Sequence, residues 1–250
     1  MQFYELARCG PLHGVISPDF VPAGGMLLSG NDLLMKSRGL RSEDLEPKQL
    51  ARLHGLRGVL SHLQRLSDDG LCMPRDFVPF EGIETPLDVF VGYLLFDARI
   101  ANPDRHGENW GIVTITPAED EFLAPAFDHG AAMGRSLLDG ERAERLRTKD
   151  RGRDVDAFCA KARSAFYPME LGERVKAKGT FEVCAVAAEY APLAMKAWVN
   201  KLRAIEPHQI DATIARVPDE VMSHIAKTFT AKVLKINRAR LLSVPTGELK

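Results

Sequence analysis

Asn102-Pro103-Asp104-Arg105-His106-Gly107-Glu108-Asn109 is followed eighteen residues later by Phe127-Asp128-His129-Gly130. Together these runs set an Asp, an Asn five positions on, and a second Asp beyond a segment that reads as a β-hairpin. Phosphoryl transfer asks a protein mainly for positioned charge: a carboxylate to accept or orient the attacking hydroxyl, and oxygen ligands for magnesium. Mg²⁺ is a hard cation that takes carboxylate and amide oxygens rather than sulfur or imidazole. The order Asp, Asn, Asp supplies that set of groups.

The flanking sequence predicts how the two runs are mounted. Thr85 is a natural N-cap, Pro86 suits the first helical position, and Asp88 sits favourably in the first turn. Leu87, Phe90, Val91, Leu94, Leu95 and Ala98 follow at helical spacing. The helix is expected to stop near Ala101, because Pro103 disfavours the α region for Asn102. Asp104 to Asn109 then form a loop directly off the end of a buried helix, the rigid mount a catalytic group needs. Ile112, Thr114 and Thr116 alternate as a strand, Pro117-Ala118-Glu119-Asp120 makes a turn, and Phe122 to Ala126 returns antiparallel. Such a hairpin brings its ends together and is expected to place Asp128 near Asp104 and Asn109.

Further out, Phe3 to Cys9 and Gly14 to Ser17 read as short strands around the Gly10-Pro11 turn, and Ser29-Gly30-Asn31-Asp32 as a turn-rich connector. Leu50, Leu53, Leu60 and Leu63 predict one amphipathic helix over 47–67. The dense mixed charges of 138–154 read as a solvated loop or fraying helix. Helices are expected over 155–165, 180–203, 208–216 and 219–242. There is no internal repeat.

Thirty-three Lys and Arg against thirty-four Asp and Glu leave a net charge of −1, so no basic field argues for nucleic-acid binding. Cys9, Cys72, Cys159 and Cys184 form no CxxC pair, which points away from zinc and disulfide frameworks and toward four buried, reduced thiols. The N-terminus lacks the regions of a signal peptide, and the longest apolar run, Val89 to Phe96, is too short to span a bilayer. A soluble, cytoplasmic protein with no membrane contact is expected.

Each candidate has a plainer reading. Asp104 suits a turn after proline, Asn109 a strand cap and Asp128 a β-turn before Gly130. His106 suits a brace that bonds to loop backbone. A metallo-hydrolase centre of Asp104, His106, Asp128 and His129 is the alternative chemistry. It lacks support elsewhere, since His54, His62, His208 and His224 fall in predicted helices without clustering.

The run Phe96-Asp97-Ala98-Arg99-Ile100-Ala101-Asn102-Pro103-Asp104 through Asn109, with Leu123-Ala124-Pro125-Ala126-Phe127-Asp128, resembles the C-terminal lobe of HipA-like serine/threonine kinases. That resemblance implies an α+β, protein-kinase-like fold: a short N-terminal β segment, then a mostly helical lobe carrying one catalytic hairpin. It implies ATP and Mg²⁺ as cofactors, Asp104 as the catalytic base, and Asn109 and Asp128 as magnesium ligands. With Met26 to Asp32 as the hinge, Leu28, Asn31 and His106 are the expected nucleotide contacts. Residues 1–32 would form a remnant N-lobe and hinge, and 33–250 the helical lobe. The implied partners are a protein substrate bearing a Ser or Thr hydroxyl and an antitoxin-like regulator.

The chain departs from that pattern before residue 36. A kinase-like fold uses a phosphate-covering loop and a lysine that grips the α- and β-phosphates. Here the first lysine is Lys36, and the first 35 residues hold no glycine-rich phosphate motif. Three accounts fit: a truncated product of a longer kinase, a complete protein using Arg8, Lys36 or a partner subunit instead, or a kinase-derived fold that binds nucleotide weakly or not at all. Weak or absent transfer by this chain alone is expected.

Overall fold

The computed structural model describes residues 2–41, 43, 45–115, 120–168 and 176–244. The chain opens with an antiparallel hairpin, β1 (Glu5–Cys9) and β2 (Leu12–Ile16), whose side chains are almost all exposed. β3 (Gly25–Ser29) then joins β4 (Gly111–Ile115) and β5 (Asp120–Leu123) in a three-stranded antiparallel sheet of order β3-β4-β5. The predicted return hairpin is β4-β5, with Ile112 opposite Leu123, but its second strand runs Asp120–Leu123 rather than Phe122 to Ala126. The turn placed at 117–120 lies, apart from Asp120, outside the described residues.

The helical part runs α1 (Gly30–Lys36), α2 (Pro47–Leu53), α3 (Leu56–Asp68), α4 (Pro86–Ile100), α5 (Asp139–Arg147), α6 (Val155–Ala160), α7 (Thr180–Tyr190), α8 (Pro192–Arg203), α9 (Pro207–Ala215) and α10 (His224–Leu242). α4 is the axis of the lobe and packs against α3, α7, α8 and α10. Thr85 and Asp88 form the expected capping box, with Thr85 Oγ1 accepting from the Asp88 N–H. Of its fifteen residues only Asp88 and Phe96 escape burial, so α4 is enclosed on all sides rather than on one apolar face.

Several boundaries differ from expectation. The helix predicted over 47–67 is two helices, broken where His54 turns inward and Gly55 adopts an extended φ of −76° and ψ of 128°. His54, expected inside a helix, instead stacks on Phe166 at 4.3 Å and accepts a hydrogen bond from Trp110 Nε1 at 2.8 Å. The helix predicted over 180–203 is divided at Pro192, which cannot supply the N–H that a continuous helix needs. The last helix starts at His224 behind a Ser223 cap, not at 219. Ser29-Gly30-Asn31-Asp32 is the capping box that starts α1, not a connector. Cys159 and Cys184 are buried as expected, whereas Cys9 and Cys72 are exposed. Among the described residues no helix is long and apolar enough to cross a membrane.

Candidate active site

The site is built where α4 ends. Ala101 takes a left-handed conformation (φ 50°, ψ 48°) that closes the helix. Asn102, almost fully buried, then turns the chain back. Its backbone N–H donates to the Asp97 carbonyl at 2.8 Å and its Nδ2 to Asp97 Oδ1 at 2.9 Å, while its Oδ1 accepts from the Asp104 N–H at 3.2 Å.

Asn109 closes the same loop. Its Nδ2 donates to the Asp104 carbonyl at 2.7 Å. Since a carbonyl accepts only from the amide nitrogen, this bond fixes the orientation of the side chain. Oδ1 is left accepting no hydrogen bond among the described residues, free to act as a neutral oxygen ligand. His106 Nδ1 accepts from the Glu108 N–H at 3.2 Å, the backbone brace expected, and its Nε2 lies 3.6 Å from Asp104 Oδ1. The Asp104 side chain is 42% exposed, open enough to meet a substrate hydroxyl.

Arg105 holds these parts together. It is 1% exposed, and its Nε and Nη2 grip Asp97 Oδ2 and Oδ1 at 2.7 and 2.8 Å. Nη1 donates to the Asn109 carbonyl at 2.8 Å, and Nη2 also donates to His129 Nε2 at 3.2 Å. One buried guanidinium thus ties the end of α4, the Asp104 loop and the segment bearing Asp128. The bond requires neutral His129 protonated on Nδ1. Burial first, and the adjacent Arg105 second, push its pKa down to about 4.

Asp128 follows β5 with φ of 51°, a left-handed conformation that Asp tolerates better than most residues. Its N–H donates to Tyr4 Oη at 3.1 Å, and its exposed carboxylate has no hydrogen-bond partner among the described residues. A cleft of about 740 Å³ beside it is bordered by Tyr4, Phe20, Phe96 and Phe127. Asp104 and Asn109 do not line that cleft; they meet the Asp128 segment through Arg105.

The remaining candidates are spread more widely. Asn31, partly buried, sits over Gly107: its N–H donates to the Gly107 carbonyl at 2.9 Å, and a Cβ on Gly107 would fall 2.0 Å from Asn31 Oδ1. Leu28 lies in β3 opposite Ile112 and packs partly buried against the main core. Arg8 Nε is bonded to the Gly10 carbonyl at the tip of the exposed hairpin, and Lys36 is at the end of α1 remote from Asn31. Among the described residues no group of three His, Cys, Asp or Glu side chains converges as a metal cage. Asn109 Oδ1 and the Asp128 carboxylate are oxygen donors of the kind magnesium takes alongside substrate phosphates, without such a cage.

Sequence reasoning assigned no role to Asp97 and left Arg105 open. The available signal was Asp97 directly after the apolar run Val89 to Phe96, since a buried carboxylate is seldom without a partner.

No protein-family model and no curated protein matches the sequence. The structure is similar to the crystal structure of the Helicobacter pylori proinflammatory kinase CtkA, with a TM-score of 0.63 and 18% identity over 97% of this chain and 78% of that one. At that identity the likeness is one of fold, and the fold of this chain is kinase-like.

Proposed function

We propose that the chain is a HipA-like kinase that transfers the γ-phosphoryl group of Mg·ATP to a protein Ser or Thr hydroxyl. Asp104 accepts or orients the hydroxyl proton, and Asn109 Oδ1 and the Asp128 carboxylate hold magnesium, which neutralises charge on the transferred group. Leu28, Asn31 and His106 are the candidate nucleotide contacts. The observation that carries this reading is the Asn109 Nδ2 bond to the Asp104 carbonyl at 2.7 Å, which couples hydroxyl positioning to metal positioning. The test is Mg-dependent incorporation of labelled phosphate from ATP, into the chain itself or an added protein, compared with Asp104→Ala. Incorporation lost in the variant supports the reading. Incorporation equal in both removes Asp104 from the chemistry.

No lysine precedes Lys36 in the given sequence, and a phosphate-gripping cation stabilises transferred charge by several kcal/mol, roughly the scale of an oxyanion donor. One observation favours a second reading, a non-catalytic module that docks a regulator. The β1-β2 hairpin exposes apolar side chains on both of its faces, Leu6 and Val15 on one and Leu12 and Ile16 on the other, which suits a protein partner of the antitoxin kind. ATP with Mg²⁺ raising the melting temperature favours the kinase; no shift favours the module.

A further inference from the structure

Arg99, two residues beyond Asp97 on α4, is a second buried guanidinium, and it has no carboxylate. It is 7% exposed. Its Nη1 donates to the Leu234 carbonyl of α10 at 2.5 Å, and among the described residues its Nε and Nη2 have no acceptor. Burial, with the neighbouring Arg238, lowers its pKa only to about 10, so it stays charged at neutral pH. The free Nε–Nη2 edge is the same edge with which Arg105 grips the carboxylate of Asp97. That edge presents two parallel N–H donors matched to a carboxylate.

Arg99 lines a cavity of about 660 Å³ between α4, α8, α9 and α10, within the size range of small-molecule sites. Leu95 and Phe96 flank Arg99 on the α4 wall at helical spacing, and Trp198, Ile210 and Leu234 face them. No lining residue is acidic, and the other cation there is the exposed Lys201. A buried charge in an apolar wall is unfavourable unless something pairs with it. An apolar ligand alone would leave Arg99 unmatched, and a small anion alone would leave the walls uncovered.

We propose that this cavity binds an amphipathic carboxylate with an aliphatic body, the chemistry of a long-chain fatty acid, with its head on Arg99 and its chain against Phe96, Trp198 and Ile210. The site does not depend on the kinase reading, and its test needs no activity measurement.

The probe is sodium dodecanoate below its micellar concentration, compared with 1-dodecanol, followed by melting temperature and by quenching of Trp198 fluorescence, with Trp198→Phe as the signal control. Dodecanoate is expected to bind saturably and at least tenfold more tightly than dodecanol, and Arg99→Met to abolish that difference. Should Arg99→Met not fold, for want of its bond to Leu234, Ile210→Trp fills the cavity from α9 and leaves that bond intact; it is expected to weaken dodecanoate at least tenfold. No saturable binding of dodecanoate, equal affinity for the alcohol, or unaltered dodecanoate affinity in a folded Arg99→Met or Ile210→Trp variant would each overturn the proposal.

Discussion

Arg105 and Asp97 form a two-bond ion pair, at 2.7 and 2.8 Å, buried almost completely between the end of α4 and the Asp104 loop. Two charges removed from water gain little net stability unless their remaining hydrogen bonds are also satisfied. Here they are: Asn102 completes Asp97, while the Asn109 carbonyl and His129 complete Arg105. The pair specifies the loop's shape more than it adds stability.

Removing one partner therefore leaves a buried charge unmatched. Arg105→Met or Asp97→Leu is expected to cost about 3–5 kcal/mol. Urea unfolding checks this, and the double variant Arg105→Met with Asp97→Leu is expected to lose less than the sum of the two single changes. Additive losses would mean the two side chains act independently.

Gly30 predicts a packing effect of a different kind. A Cβ there would lie 2.2 Å from the Trp110 ring, which is itself fixed by its bond to His54. Gly30→Ala is expected to destabilise by about 1–3 kcal/mol through overpacking, and to alter the emission of Trp110. Unchanged stability would show that α1 can move away from the loop without cost.

Stability is also expected to depend on pH through His54. Burial lowers its pKa from 6.5 to about 4, so between those values the unfolded chain binds more protons than the folded one. The contribution of neutral His54 is thus complete above about pH 6.5 and is lost as pH falls toward 4. It amounts to about 3 kcal/mol. His129 shifts in the same direction. Urea unfolding between pH 7.5 and 4.5 is expected to show this loss, with a shallower slope in His54→Phe; equal slopes would contradict it.

The mount of Asp104 was legible because its signals are local. Thr85, Pro86 and Asp88 start α4, Pro103 ends it, and alternation marks β4. Ser29 to Asp32 misled because Ser, Gly, Asn and Asp compose turns and capping boxes alike. What makes them helical is tertiary: the Gly30 N–H donates to the Trp110 carbonyl, and Asn31 to Gly107. The break at His54 likewise depends on Trp110 and Phe166, far along the chain. Arg105's three partners stand 8, 4 and 24 residues away, so no short window could reveal its role.

The most direct measurement is calorimetric titration of ATP with and without Mg²⁺ into the chain and into Asn109→Ala and Asp128→Asn. Asn109→Ala also removes the bond to the Asp104 carbonyl, at a stability cost of about 1 kcal/mol, so each variant is first shown to be folded. The account predicts Mg-dependent ATP binding by the parent chain that falls at least tenfold in both variants, while any binding seen without magnesium is unchanged. ATP binding that ignores magnesium, or that both variants retain in full, would contradict it.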